Sequence, residues 1–334
     1  MSHRPRSLFF LRPDALEKTY SAASRRKIGE LTASYPHQLT IDNWREHTAA
    51  LAETDYILSS WGMARLDAEL LSAAPNLKHI FYGAGSVRGF YTDEAVRRGV
   101  GISSAWRANA IPTAEFAHAT IVLSLKQHWR AQRTARARRD WAKPLHAAGV
   151  FRATVGLLSL GAVGRLVAEK LQQVNTLNVI AHDPFFNPAE AAALGVRLVS
   201  LAELFATSEV VSLHAPDLDA TKGLVNRALL LSLKPHATLV NTARGQLVDE
   251  AALIDVLRER PDLDAVLDVT ATEPGNADSP LWDLPNVVIT PHIAGSLNGE
   301  CRRMGEYMVD ELERHLSGLP LQHEVTPATL ATMA

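Results

Sequence analysis

Three ionisable side chains in the second half of the chain could bind an anion and transfer a proton. Arg244 follows an apolar run, and its guanidinium could bind a carboxylate through two hydrogen bonds and polarise a neighbouring carbonyl. His292 can exchange a proton near neutral pH. Glu273 could bond to that imidazole, which would stabilise its protonated form and fix its orientation. The alternatives are a structural ion pair, a structural histidine and a surface-loop carboxylate.

These side chains follow the ends of predicted strands. From residue 153 onward, apolar runs typical of buried parallel strands end near residues 158, 181, 213, 240, 267 and 289. The residues just beyond these ends are polar, glycine-bearing or titratable, namely Gly161, Asp183, His214, Thr242, Arg244, Asp268 and His292. Open α/β sheets bind ligands at the carboxyl ends of their strands. The pattern therefore predicts a cofactor and a substrate along one edge of a doubly wound sheet.

Residues 153–183 have the order strand, glycine-rich turn, helix, strand. In the dinucleotide fingerprint, glycines such as Gly161 and Gly164 let the backbone approach a pyrophosphate, and the helix N-terminus offers free N–H groups. Asp183 would accept hydrogen bonds from ribose hydroxyls. Ser159 stands where the fingerprint has its first glycine, so it needs a negative φ or some backbone strain. The alternative is a strand–helix joint whose glycines serve packing only.

The N-terminal third alternates between strand and helix patterns. Strands are predicted over 7–11, 39–41, 56–58, 77–81 and 100–103, and helices over 15–32 and 66–73, which indicates a small parallel α/β domain. The turn at 83–86 follows one of these strands, and its backbone N–H groups could bind a carboxylate, unless it is only a glycine turn. A long helix is predicted from Ala108, with Pro112 near its start.

Composition narrows the class of protein. The chain has 334 residues, of which 47% are hydrophobic, so two domains are expected. A formal net charge of −2 gives no general attraction to nucleic acid or to a membrane. Arginines at 130–139 could form a nucleic-acid patch, but a solvated helix face or a subunit contact is favoured because no aromatic platform interleaves them. The single Cys301 excludes an internal disulfide and fits a reducing cytoplasm.

Neither a leader nor a membrane span is predicted. The apolar run at 8–11 is too short for the core of a signal peptide. No window approaches the roughly 18 apolar residues of a transmembrane helix.

Several motifs in this order resemble the D-isomer-specific 2-hydroxyacid dehydrogenase family. They are residues 160–164, 214–216, 241–245 with 247–250, 267–269 with 273–274, and 291–295. The resemblance is dense over 154–296 and looser over 70–120. It implies an α/β fold in which a doubly wound parallel-sheet (Rossmann) nucleotide domain, residues 107–300, is inserted into a smaller flavodoxin-like α/β substrate domain made of residues 1–106 and 301–334.

The resemblance also implies site residues. Arg244 would bind the carboxylate and carbonyl of the substrate, His292 would be the general acid/base, and Glu273 would bond to His292. Ala84 and Gly85 would donate backbone N–H groups to the substrate carboxylate. The implied cofactor-binding residues are Thr113, Gly161, Ala162, Val163, Gly164, Asp183, Ala215, Pro216, Thr242, Ala243, Arg244, Asp268, His292, Ala294 and Gly295. No metal is implied.

The implied reaction is NAD(H)-dependent reduction of a 2-keto acid to the D-2-hydroxy acid, or the reverse, with hydride transferred at C2. Asp183 and Pro184, with no arginine beside them, favour NAD over NADP because a carboxylate repels a 2′-phosphate. Two alternatives stay open: oxidation of formate or phosphite on the same fold, and a non-catalytic NAD-sensing protein. The implied partners are a small 2-keto or 2-hydroxy acid and a second copy of the chain, paired through residues 115–150 in a cytoplasmic homodimer.

Overall fold

The computed structural model describes residues 4–141, 143, 146–174 and 176–333. The chain divides into two units. One, which we call the split unit, consists of Met1–Asn109 and Ser296–Ala334, and the other, the inserted unit, is Ala110–Gly295. The boundaries expected from the sequence, after residues 106 and 300, lie a few residues from these.

Most strands are separated from the next strand by one or two helices. The strands are β1 (Arg6–Phe10), β2 (Ala33–Ser34), β3 (Tyr56–Ser59), β4 (His79–Tyr82), β5 (Gly101–Ser104), β6 (Thr154–Leu158), β7 (Asn178–His182), β8 (Arg197–Leu198), β9 (Val210–Leu213), β10 (Thr238–Asn241), β11 (Asp264–Leu267) and β12 (Val287–Ile289). The helices are α1 (Pro13–Thr19), α2 (Ala22–Leu31), α3 (Thr48–Ala52), α4 (Ala68–Ala73), α5 (Asp93–Arg97), α6 (Trp106–Leu125), α7 (His128–Arg138), α8 (Ala162–Gln172), α9 (Pro188–Ala193), α10 (Leu201–Thr207), α11 (Arg227–Ser232), α12 (Glu250–Glu259), α13 (Cys301–Leu316) and α14 (Pro327–Thr332).

The split unit contains a parallel five-stranded sheet in the order β2-β1-β3-β4-β5. This order, 2-1-3-4-5, is that of flavodoxin-like folds. Strands β3 and β4 are buried along their whole length, as expected of a parallel sheet covered on both faces. The α/β class and the flavodoxin-like description predicted for this part of the chain are confirmed.

The helix predicted over residues 15–32 is instead two helices, α1 and α2. Tyr20 is extended between them, and its buried phenol donates a hydrogen bond to the carbonyl of Ser59 at 2.8 Å. Ser21 then caps α2, because its Oγ accepts a hydrogen bond from the Ser24 N–H at 3.1 Å. The cap and the buried tyrosine end the first helix where apolar spacing alone predicts continuation.

Two further expectations for the split unit were wrong. Residues 39–41 form no strand; Leu39 makes a single isolated bridge to Phe10, and β2 takes the edge position. The long helix α6 begins at Trp106, so Pro112 lies inside it rather than at its start. A proline there removes one backbone hydrogen bond of the helix.

The inserted unit contains a parallel seven-stranded sheet in the order β12-β11-β10-β9-β6-β7-β8. The chain enters at β6, runs outward through β7 and β8, and then crosses over to β9 and runs outward the other way. The switch point between β6 and β9 is the usual ligand site of such sheets. The doubly wound sheet predicted for this part of the chain is confirmed.

Helix α8 packs against this sheet along one apolar face. Its buried residues are Gly164, Val167, Ala168 and Leu171, which recur every three or four positions. Because Gly164 is among them, the helix approaches the turn after β6 closely. Among the described residues, no helix is both long and apolar enough to cross a lipid bilayer.

Candidate functional site

The strand ends of the inserted unit lie in register. Asn241 at the end of β10 pairs with Leu213 of β9 and with Leu267 of β11, and Leu267 pairs with Ile289 of β12. The residues that follow these strands are therefore brought to one edge of the sheet. Arg244, Asp268 and His292 all belong to this edge.

His292 and Glu273 form a close pair. His292 Nδ1 lies 2.6 Å from Glu273 Oε2, and the two side chains remain 50% and 39% exposed. This leaves Nε2 of the imidazole on the far side of the ring from the carboxylate. A carboxylate bonded in this way fixes the orientation of the ring and of its free Nε2.

A buried carboxylate, Asp268, holds the loop that carries His292. The Asp268 side chain accepts hydrogen bonds from Ile293 N–H at 2.9 Å, Ala294 N–H at 2.8 Å and Thr290 Oγ1 at 2.5 Å. Its carbonyl accepts one from His292 N–H at 2.9 Å, and His292 adopts a positive φ of 53°. Sequence reasoning placed Asp268 at the cofactor and missed this positioning role, whose only signal was a carboxylate directly after a strand.

Arg244 is held by its own loop. Asn241 Nδ2 donates to the Arg244 carbonyl at 2.9 Å, and Asn241 Oδ1 accepts from Ala243 N–H at 3.1 Å. Burial lowers the pKa of Arg244, whereas the carboxylates of Glu273 and Asp217 raise it. An arginine stays charged under such shifts, so the site retains a cation beside Glu273.

The turn after Arg244 packs directly on the segment that leads to Glu273. A Cβ on Gly245 would lie 1.9 Å from the Thr270 carbonyl oxygen and 2.5 Å from Ala271 N. Only glycine allows this approach. Arg244, Glu273 and His292, far apart in sequence, are thus brought to one region of the inserted unit.

The glycine-rich turn leaves the start of α8 open to a ligand. A Cβ on Gly164 would lie 2.2 Å from the Ser159 carbonyl oxygen, so Gly164 allows α8 to approach the turn. Gly161 precedes α8 with no side-chain cap, and a Cβ there would meet nothing closer than 3.9 Å. The N–H groups of Ala162 and Val163 at the helix start can therefore bind a phosphate.

Asp183 lies beside this turn and already has three protein donors. Ser159 Oγ and Leu160 N–H donate to Oδ2 at 3.1 and 2.8 Å, and Phe185 N–H donates to Oδ1 at 3.0 Å. Ser159 has a φ of 77°, so it adopts the left-handed conformation that glycine would take without strain. The sequence required either a negative φ or backbone strain at Ser159, and the positive φ shows that the backbone is strained.

Several buried polar atoms at the same edge have no hydrogen-bond partner among the described residues. They are Thr242 Oγ1, Asp217 Oδ1 and both ring nitrogens of His214. Burial lowers the pKa of His214 to about 4, so this imidazole is neutral near pH 7. Unsatisfied buried polar groups are costly and often mark a site that a polar ligand or water completes. The open start of α8 at the glycine-rich turn and these unpaired polar atoms together fit a dinucleotide.

The remaining predicted cofactor residues lie in the inserted unit. Ala215 and Pro216 follow β9. Ala294, which precedes Gly295, is buried and its N–H donates to Asp268 Oδ2. Thr113 is buried in α6. Among the described residues, no group of three or more His, Cys, Asp or Glu side chains could hold a metal ion.

The two residues predicted to bind a substrate carboxylate lie in the split unit. Ala84 is fully buried, and its N–H donates to the Tyr82 carbonyl at 2.9 Å. Ser104 Oγ donates to the carbonyls of Ala84 and Gly85 at 3.0 and 2.5 Å and holds the turn. Of the two predicted donors, Gly85 is therefore the one whose N–H has no acceptor among the described residues.

Two of the clustered arginines on α7 have structural partners. Arg130 Nε and Arg133 Nη2 donate to the two carboxylate oxygens of Asp264 at 3.0 and 2.8 Å, and the Asp264 side chain is only 5% exposed. Arg130 also donates to three carbonyls of residues 261–263. These two residues tie α7 to the start of β11, a contact within the chain that neither the solvated-face nor the subunit-contact interpretation predicted.

Comparisons with known proteins agree with this geometry. A family model described as the NAD binding domain of D-isomer specific 2-hydroxyacid dehydrogenase matches residues 119–294. D-3-phosphoglycerate dehydrogenase of Mycobacterium leprae is 37% identical over 270 residues, 81% of this chain, and the chain spans about half (51%) of that relative's length. (S)-sulfolactate dehydrogenase of Chromohalobacter salexigens is 32% identical over 253 residues, 75% of this chain and 82% of the relative. The structure of apo D-mandelate dehydrogenase from Rhodotorula graminis has a TM-score of 0.82 at 25% identity, covering 97% of this chain and 98% of that one.

Proposed function

This chain belongs to the D-isomer-specific 2-hydroxyacid dehydrogenase family, and from that premise we propose that it reduces a 2-keto acid to the D-2-hydroxy acid with NADH, or catalyses the reverse. The resemblance drawn from its motifs is confirmed, and residues 119–294 match the family model of the NAD binding domain. The observation that carries the proposal is the His292–Glu273 pair, 2.6 Å apart, in the same region as the Arg244 cation.

Each of the three side chains has a distinct task in this proposal. Arg244 binds the substrate carboxylate and orients the carbonyl, whose developing negative charge its guanidinium stabilises. His292 donates a proton from Nε2 to the carbonyl oxygen during reduction and takes it back during oxidation. Glu273 accepts a hydrogen bond from the Nδ1–H of His292 throughout the reaction. Asp268 keeps the loop that carries His292 in place by accepting three hydrogen bonds from it.

The residues that would hold NAD are those of the glycine-rich turn. The backbone N–H groups at the start of α8 would bind the pyrophosphate, and Asp183 would bind the adenosine ribose. Bound NADH supplies the hydride that C2 of the substrate accepts. The acidic Asp183 favours NAD over NADP, because it would repel a 2′-phosphate.

The substrate class is a small 2-keto or 2-hydroxy acid. The relatives are named for phosphoglycerate, sulfolactate and mandelate, which are 2-hydroxy acids with very different substituents. We therefore propose the shared 2-hydroxyacid head as the recognised group and leave the substituent to a substrate panel. A homodimer paired through residues 115–150 and a cytoplasmic location remain part of the proposal.

The test is a panel of 2-keto acids, with formate and phosphite as further hydride donors to NAD, monitored by NADH absorbance. At least one keto acid is expected to oxidise NADH, and His292→Asn is expected to lower kcat by about 10²-fold through loss of general acid catalysis. His37→Asn, which changes an exposed histidine of the split unit outside residues 115–150, serves as the matched control and should leave kcat unchanged.

Three results would contradict the proposal. Near-normal turnover of the His292→Asn variant would remove the assigned acid. Turnover of formate or phosphite alone would assign the fold another substrate. Binding of NADH without turnover of any compound in the panel would favour an NAD-sensing role.

A further inference from the structure

Ser159 departs from the dinucleotide fingerprint in a way that affects Asp183. Its φ of 77° lies in the left-handed region, where a side chain other than glycine adds backbone strain. Its hydroxyl donates to Asp183 Oδ2 at 3.1 Å, and a hydrogen bond to a carboxylate is of the stronger kind. The strained backbone and the carboxylate contact belong to the same residue.

The carboxylate of Asp183 has few acceptor positions left. A carboxylate offers about four lone-pair positions, two on each oxygen. On Oδ2, both are taken by Ser159 Oγ and by Leu160 N–H at 2.8 Å. On Oδ1, Phe185 N–H takes one at 3.0 Å, so a single position remains.

A ribose diol needs more free acceptor positions than the one that Asp183 retains. The adenosine ribose of NAD presents two neighbouring hydroxyls, and a carboxylate binds both when each of its oxygens can accept one hydrogen bond. With Ser159 in place, only Oδ1 of Asp183 can do so.

We propose that Ser159 sets the cofactor affinity of this protein by competing with the adenosine ribose for Asp183 Oδ2. The proposal rests on the proposed NAD-dependent function. Backbone donors hold Asp183 on both oxygens, so loss of the serine hydroxyl frees an acceptor without releasing the carboxylate. Ser159 is thus an affinity-determining residue that weakens NAD binding relative to the glycine of the fingerprint.

Two variants separate the hydroxyl from the backbone. Ser159→Ala removes the hydroxyl and keeps the strained φ, whereas Ser159→Gly removes both. Titration of each purified protein with NAD⁺, ADP-ribose and nicotinamide mononucleotide by calorimetry gives the Kd for the whole cofactor and for each half. Both variants are expected to bind NAD⁺ and ADP-ribose about three- to tenfold more tightly, with no change for nicotinamide mononucleotide.

A double-mutant cycle completes the experiment. Against Asp183→Asn, the Ser159→Ala substitution should lose its effect, because the carboxylate for which the hydroxyl and the ribose compete is absent. Unchanged or weaker binding of ADP-ribose by both variants would overturn the proposal, as would tighter binding by Ser159→Gly alone, which would assign the effect to strain. Failure of the unsubstituted protein to bind either NAD⁺ or ADP-ribose would instead refute the proposed function, and this inference with it.

Discussion

The Gly164→Ala substitution tests the close approach of α8 to the backbone of Ser159 in the glycine-rich turn. The new Cβ would lie 2.2 Å from the carbonyl oxygen and 3.1 Å from the carbonyl carbon of Ser159, whereas ordinary contact begins near 3.4 Å. The helix and the turn must therefore separate by about 1.2 Å, the difference between 3.4 and 2.2 Å. Both partners are backbone atoms, so no side-chain rotation can relieve the clash.

The expected loss of stability follows from two opposing terms. Alanine favours a helix over glycine by about 1 kcal/mol. Overpacking of this kind costs about 1–3 kcal/mol, and a backbone clash belongs at the upper end. We expect the free energy of unfolding to fall by about 2 kcal/mol.

The expected loss of cofactor affinity follows from the same displacement. The N–H groups of Ala162 and Val163, which would bind the pyrophosphate, move with α8 by about 1 Å relative to the turn, and a shift of that size breaks a hydrogen bond to the cofactor. Hydrogen bonds to charged groups contribute about 1.5–3 kcal/mol, and 1.4 kcal/mol is a factor of ten in affinity. The Kd for NAD⁺ should therefore rise about tenfold or more.

Gly161→Ala is the matched control. Gly161 has a negative φ of −65°, and its Cβ would meet nothing closer than 3.9 Å. Its stability should change by less than about 1 kcal/mol, because glycine is the better residue at this N-cap whereas alanine lowers the entropy of the unfolded chain. Urea unfolding followed by tryptophan fluorescence measures stability, and calorimetric titration measures the Kd. The reasoning is refuted if Gly164→Ala is as stable as Gly161→Ala and binds NAD⁺ like the unsubstituted protein.

Two further predictions concern charge. Arg244→Lys keeps the cation but loses the planar fork, so steady-state kinetics with a keto acid substrate should show kcat/KM lower by about 10–10²-fold; unchanged kinetics would contradict its carboxylate-binding role. His79 is buried, and burial, with a smaller effect of His315, lowers its pKa from 6.5 to about 3. The unfolded chain then takes up the proton first as pH falls, so this residue should remove about 2 kcal/mol of stability between pH 7 and pH 5. Urea unfolding at both pH values should show that His79→Gln loses about 2 kcal/mol less stability between pH 7 and pH 5 than the unsubstituted protein does. An equal loss in the two proteins would contradict the role given to His79.

Periodic patterns predicted the doubly wound sheet well. The runs ending near residues 158, 213, 240 and 267 are strands because a parallel sheet covered on both faces needs continuous apolar segments. Patterns failed where one contact decided the conformation. Tyr20 interrupts a helical pattern because its phenol reaches a carbonyl of β3. Residues 39–41 contribute only the isolated bridge of Leu39 to Phe10 and form no strand.

The sequence alone determined the order of the elements and which residues stand at strand ends. Apolar periodicity and glycine positions are local properties, so they can be read without coordinates. Only the tertiary structure decided how polar atoms share their partners. It placed the Ser159 hydroxyl on Asp183, turned the Asp268 carboxylate towards the His292 loop, and joined the Ala84 N–H to Tyr82. An acceptor has few positions, and the donors that reach it come from wherever the folded chain passes.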